Sequence, residues 1–301
     1  MIRKILLILA FIGFSSGLIA QQLNDYPPLI KGYKGSEGKV IKKYFFNFIK
    51  LKDEAGVNER QATGRFWEIN YVYDSIFRQK ELFANFMKEE ISRNKGVLFF
   101  QDTSQIHFAI PRDDAPNIWG KVTLKSDRIY RVSVIEEIGF ENQVVFDSGV
   151  KPKFEEFVEA IELPERMGYM PATVVTSARY SKFNHYRITF VKESRSHSQI
   201  LMGPYWDLKC KVVDSTGETD SRISSVQIME SYFRSAVKLK GNIIKSKPRE
   251  LIFNIPVGDD QKLWVRVMTS LNGLYYLKMV LQNNADEQAS TGAIDTTKKK
   301  K

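Results

Sequence analysis

The chain has 301 residues, a formal charge of +10 and a single cysteine, Cys210. One cysteine excludes an intramolecular disulfide, so packing alone has to stabilise the fold. The positive charge favours acidic partners, such as lipid headgroups or anionic polymers.

Residues 1–20 have the order of a secretory signal peptide. Arg3 and Lys4 precede an apolar run from Ile5 to Phe14, and small residues follow before Ala20. A membrane anchor is the alternative, but the run is shorter than the roughly 20 residues of a spanning helix. We therefore expect cleavage after Ala20, export, and a product that is not transmembrane. An exported chain without disulfides is typical of a bacterial periplasm or outer-membrane surface, where nucleic acid is not an expected partner.

Residues 21–140 form the first predicted module. Val40 to Leu51 and Gly64 to Tyr73 are rich in aromatic and β-branched residues, which predicts two strands. From Gln79 to Arg93 apolar residues recur every three or four positions, which predicts a helix, and Lys95-Gly96 is typical of its C-terminal cap. Four further strands are predicted, at Val97 to Gln101, Gln105 to Ile110, Trp119 to Leu124 and Ile129 to Ile135.

Residues 141–168 form a predicted linker. Phe154, Phe157, Val158 and Ile161 have helical spacing, and Leu163-Pro164 ends the run. This pattern predicts a short helix from about Pro152 to Glu162.

Residues 169–281 form the second predicted module. Strands are predicted at Ala172 to Ala178, Tyr186 to Lys192 and Trp206 to Val213, and a helix at Ser221 to Leu239. Residues 282–301 are polar and end in four lysines, which predicts a disordered basic tail. The tail is either simply solvated or in contact with acidic lipid or polymer.

The two modules repeat one pattern. Phe108, Pro111 and Trp119 recur 145 positions later as Phe253, Pro256 and Trp264. Upstream the offset changes, because the second copy has an insertion at residues 214–219 that is typical of a surface loop. We therefore predict an α+β fold, a tandem duplication of an antiparallel-sheet module with one packed helix.

No pattern of residues indicates catalysis, a cofactor or a metal site. The three histidines are not clustered, and the position of His107 is occupied by Ile252 in the second copy, so a metal role is disfavoured. The glycine-rich stretch at 32–39 has the wrong spacing for a phosphate loop. The four tryptophans are either sugar-stacking platforms or core residues, and their repetition in both copies favours the core. We expect no enzymatic activity.

Asp25-Tyr26-Pro27-Pro28-Leu29-Ile30, followed by Tyr33-Lys34-Gly35-Ser36, resembles the start of a periplasmic module found ahead of the peptidoglycan-binding domain in some OmpA-family envelope proteins. The resemblance covers roughly Asp25 to Ile135. This chain departs from that family in two ways, since the second copy lacks the opening motif and no peptidoglycan-binding domain follows. The resemblance implies an envelope location and no activity.

Two functions follow from these patterns as hypotheses. The first is a structural scaffold in the periplasm that assembles with envelope or filament proteins, such as a periplasmic flagellar sheath. The second is a glycan- or lipid-binding periplasmic module. Function is predicted where the copies differ, which gives five candidate interaction residues: Asp25, Tyr26, Tyr33, Asp214 and Glu218.

Overall fold

The structure is a computed structural model that describes residues 36–53, 55–73, 80–113, 115–192 and 195–284. These ranges form an α+β fold of two helices and two separate, largely antiparallel sheets. The first sheet and its helix consist of β1 (Ser36–Lys52), β2 (Glu59–Tyr73), α1 (Lys80–Arg93), β3 (Val97–Gln101), β4 (Gln105–Ile110), β5 (Ile118–Ser126) and β6 (Ile129–Glu137). The second sheet and its helix consist of β7 (Lys153–Phe154), β8 (Thr173–Lys192), β9 (Arg195–Val212), α2 (Ser225–Lys238), β10 (Asn242–Lys247), β11 (Glu250–Val257), β12 (Gln261–Thr269) and β13 (Leu274–Asn283).

Both sheets have the same strand order. The first is β1-β2-β6-β5-β4-β3, and the second is β8-β9-β13-β12-β11-β10 with β7 added in parallel beside β8. Helices α1 and α2 begin and end 145 positions apart. The helix predicted within each module and the antiparallel arrangement of the strands are confirmed, and the two sheets do not merge.

One face of each sheet packs on its helix. In the second sheet Leu208, Phe253 and Leu277 meet Ile228 and Tyr232 of α2, and all five are fully buried. These strands alternate because successive side chains point to opposite faces, so every second residue enters this core. Each such side chain stabilises the fold by about 1.5–3 kcal/mol.

The other face of each sheet is partly covered by its own first hairpin. Ile188 of β8 and Leu201 of β9 pack on Trp264 and Val280 of the second sheet, and the end of the β1–β2 hairpin packs in the same way on Ile135. The base of each hairpin is part of the sheet, and its tip lies over the same sheet. The hairpin therefore has to bend between its base and its tip.

Gly64 and Gly203 allow that bend. Their φ angles are +154° and +147°, a conformation that side chains rarely adopt. A Cβ at Gly203 would lie 2.1 Å from the Leu281 carbonyl oxygen, and one at Gly64 would lie 1.9 Å from that of Glu136. Only glycine lets each hairpin strand approach its sheet so closely.

Both helices end at a Lys-Gly pair, as predicted for Lys95-Gly96. The left-handed residues are Lys95 (φ 56°) and Lys240 (φ 57°), rather than the glycines that follow them. Gly96 is required for another reason, since a Cβ there would lie 2.7 Å from the Ile91 side chain and 2.9 Å from the Ile91 carbonyl oxygen. Gly241 is crowded in the same way, by Ala236 and Asn254.

The start of α2 docks on strand β1 of the first module. The N–H of Phe45 donates to the carbonyl of Arg222 (3.1 Å). Ser224 caps α2 by accepting from the N–H of Gln227 (3.0 Å), and its hydroxyl donates to the carbonyl of Phe46. The helix cap and the contact between modules therefore depend on the same buried hydroxyl.

The predicted linker helix at 152–162 is wrong. Lys153–Phe154 pairs with β8 as β7, and a turn follows in which the N–H of Val158 donates to Glu155 (2.9 Å). Helical spacing predicts a helix only when the apolar face is buried, and Phe157 is 95% exposed. Pairing with an open strand edge satisfies the backbone of this segment instead.

Two further boundaries differ from the prediction. The strands predicted at 172–178 and 186–192 are one strand, β8, which continues through a bulge between Ser181 and Asn184. Gln282 belongs to β13 and is 1% exposed, so the tail does not begin there. Residues 285–301 and the predicted signal peptide, residues 1–20, lie outside the described residues.

Candidate functional site

An open groove of about 520 Å³ lies on the face of the second sheet that is turned away from α2. Arg179 of β8, Asp207 and Lys209 of β9, and Tyr276 and Lys278 of β13 line it. Asp207 faces Arg179 on one side and Lys278 on the other, in a row across three strands.

Strand alternation puts these side chains there. Along β9, Trp206, Leu208 and Cys210 are buried in the core, so Asp207 and Lys209 between them point outward. In the sequence, the polar residues of the alternating run in β9 are the signal for this groove. The groove could not be predicted from them, because it forms only when β9 and β13 become neighbours.

Three cations, Arg179, Lys209 and Lys278, line the groove together with one carboxylate, Asp207. Lys278 is ion-paired with Asp207 (3.2 Å), and the Tyr205 hydroxyl donates to the same carboxylate (3.2 Å). Burial, together with this neighbouring charge, raises the pKa of Tyr205, so the hydroxyl stays protonated. Neither Arg179 nor Lys209 is ion-paired within the part of the chain that the structure describes. The groove therefore has an excess of positive charge.

At the rim of the groove towards β11, the charged side chains are paired with one another. Arg266 pairs with Glu250 (2.7 Å) and donates to the Tyr186 hydroxyl (3.0 Å). Burial opposes ionisation of Glu250, but its bonds to Lys245 and Arg266 hold its pKa below the usual range. The unpaired charge of the groove is thus confined to its β8–β9 side.

At the corresponding place in the first sheet, the carboxylate is paired with cations on both neighbouring strands. Glu68 faces Lys42 there, as Asp207 faces Arg179. Glu68 is buried and pairs with Lys42 (2.8 Å) and Arg131 (3.6 Å). Among the described residues, the carboxylate of the second sheet differs from that of the first in being accompanied by exposed cations, Arg179 and Lys209, that form no ion pair.

The candidate residues Asp214 and Glu218 are elsewhere, in the turn after β9. Oδ1 of Asp214 accepts from the backbone N–H (2.8 Å) and hydroxyl (2.6 Å) of Thr216, which lowers its pKa. The N–H of Asp214 donates to the carbonyl of Glu218 (2.9 Å). Asp214 thus stabilises its own turn and is not brought to the groove. Asp25, Tyr26 and Tyr33 lie outside the described residues.

The tryptophans belong mainly to the core, as the sequence favoured. Trp67, Trp206 and Trp264 are 3%, 6% and 3% exposed. Trp119 is half-buried, its ring lies 3.9 Å from the Arg60 guanidinium, and its N–H donates to Glu137 (2.9 Å). Three of the four are therefore buried, and the Arg60 guanidinium covers one face of the Trp119 ring.

His107 is a buried structural residue. Its Nδ1 accepts from the N–H of Lys52 (2.8 Å), and its Nε2 lies 3.2 Å from Oε1 of Gln105. Burial, and then the charge of Lys121, lowers its pKa to about 4. Cys210 is also buried, which raises its pKa to about 12 and keeps the thiol protonated. In the described ranges no three His, Cys, Asp or Glu side chains cluster as a metal site would require.

We expect His107 to make stability depend on pH. Its folded pKa lies below the ordinary value of 6.5, so the folded form is favoured above that pH and loses stability as pH falls towards about 4. Each pH unit in this window costs up to about 1.4 kcal/mol, on the order of 2–3 kcal/mol in total. Urea denaturation at several pH values should show this loss. The His107→Gln variant should lack this pH-dependent loss of stability. The control His197→Gln, which changes an exposed histidine, should still show it.

Neither the scan against protein-family models nor the search of curated proteins finds a match to this chain. Neither helix in the described ranges has the length and apolar character needed to cross a membrane.

Proposed function

We propose that the chain is a tandem duplication of one α+β module and works as a non-catalytic scaffold, exported to the bacterial envelope. The common strand order, the 145-residue spacing of the helices and the paired bends at Gly64 and Gly203 support the duplication. The tripartite order of residues 1–20 supports export.

The observation that carries the scaffold role is the docking of α2 on β1. The contact uses the buried hydroxyl of Ser224 and a backbone hydrogen bond between Phe45 and Arg222, and Asn272 also donates to the Tyr44 hydroxyl (3.0 Å). Buried polar contacts of this kind have strict geometry, so they hold two related modules at one separation. Such a unit suits partners arranged in a lattice or filament, and a sheath of a periplasmic flagellum is one concrete form.

Cross-linking in the native cell tests this role. The protein should fractionate with the envelope, lack residues 1–20 by mass spectrometry, and cross-link to envelope or filament proteins. Loss of the gene should alter motility or envelope integrity. A cytoplasmic protein that keeps its first 20 residues, or normal motility and envelope with no cross-linked partner, would contradict the proposal.

The second candidate is binding of an anionic glycan or lipid. The buried tryptophans remove the stacking platforms on which that idea relied. The groove beside Arg179 and Lys209 is the observation in its favour, because unpaired cations in a concavity attract carboxylates and phosphates.

A further inference from the structure

Phe157 is the most exposed large apolar residue among those described. It is 95% exposed and lies in the turn after β7, between Glu156 and Val158. Glu156, Glu159 and Glu162 around it are also exposed. A single exposed apolar residue is ordinary, but an aromatic ring in an acidic setting has the chemistry of an interface anchor.

This turn lies at the rim of the basic groove. The N–H of Glu155 donates to the carbonyl of Val175 on β8 (3.0 Å), and its carboxylate pairs with Lys211 of β9 (2.7 Å). Ser177, two residues further along β8, lines the groove. The backbone bond and the ion pair hold the turn beside its own groove, and Phe157 projects into solvent.

The groove has the complementary chemistry. Arg179 and Lys209 supply unpaired positive charge, and Met268 and Tyr276 supply a thioether and an aromatic ring. Thioether and cationic groups both bind an aromatic side chain favourably. The groove volume lies in the range of ligand pockets, so it can admit a ring with its flanking carboxylates.

We propose that two copies of this chain form a closed, two-fold symmetric dimer in which Phe157 of each copy enters the groove of the other. The occupant is a second copy because the acidic aromatic turn and the basic groove are on the same chain. They are also adjacent, so one two-fold rotation satisfies both contacts at once and leaves no surface for further growth. This dimer does not depend on the proposed envelope role.

Analytical ultracentrifugation of the full protein, purified from its native cells, tests the dimer. The mass should approach twice that of the monomer as concentration rises, and added salt should weaken the association. Phe157→Ser and Lys209→Glu should each raise the dissociation constant by about tenfold or more. Both side chains are exposed, so the fold should persist, and Val57→Ser, which changes another exposed residue (80%), should have no effect.

A mixture of the two variants tests whether Phe157 and Lys209 meet in the same contact. The mixed dimer keeps one intact contact, since the Phe157→Ser copy has a good groove and the Lys209→Glu copy has a good turn. It should therefore associate more tightly than either variant alone. A monomer at every concentration, a dimer unaffected by both substitutions, or an open polymer would overturn the proposal. So would a monomer whose groove binds vesicles of an anionic lipid or a sulfated polysaccharide in a Lys209-dependent way, which would support the anionic-ligand candidate.

Discussion

Gly203→Ala should lower the free energy of unfolding by on the order of 3–5 kcal/mol, more than most single substitutions. The new Cβ would lie 2.1 Å from the Leu281 carbonyl oxygen, and φ at this position is +147°. The contact is with backbone, which cannot move aside as a side chain does. Relief requires the β8–β9 hairpin to straighten, which would expose Ile188, Leu201 and Trp264.

Urea denaturation followed by circular dichroism measures this loss. Gly64→Ala should give a similar effect in the first module, where the new Cβ would lie 1.9 Å from the Glu136 carbonyl oxygen. Gly139→Ala is the matched control, because nothing lies within 4 Å of a Cβ there. A loss below about 1 kcal/mol at Gly203 would mean that the bend relaxes easily and is not a fixed feature of the hairpin.

The helices could be predicted closely from the sequence. Apolar residues of α1 and α2 recur at three and four positions, and the helices occupy Lys80–Arg93 and Ser225–Lys238 against predicted ranges of 79–93 and 221–239. Periodicity succeeds there because each helix buries a single face against a sheet. It failed at residues 152–162, where the same spacing occurs without a surface to cover Phe157.

The hairpin bends and the groove could not be predicted in the same way. Gly64 and Gly203 are isolated glycines in strand patterns, and the carbonyl oxygens that crowd them belong to strands more than 70 positions away. The groove joins Asp207 and Lys278, which are also distant in the chain. Pairing between strands determines both features, and local pattern does not encode it.

The fully buried phenylalanines Phe108 and Phe253 test whether the two modules are stabilised separately. Each is 0% exposed, and Phe253 lies 6.1 Å from the ring of Phe146, edge to face. Replacement by alanine should cost about 3–5 kcal/mol at either position, through lost burial and the cavity left behind. The exposed Phe183→Ala (60%) should cost less than about 0.5 kcal/mol.

Hydrogen exchange should locate each loss. Phe108→Ala should speed exchange of the amides in β1–β6, and Phe253→Ala should do so in β8–β13, because each core is lined by its own sheet and helix. The contact between β1 and the start of α2 should be an exception to this separation. Phe45 also packs on the second core, and its N–H donates to Arg222, so β1 and the start of α2 should respond to both variants. Uniform acceleration across both sheets would instead mean that the two modules open as one cooperative unit, and that the Ser224 contact couples them as strongly as each core stabilises itself.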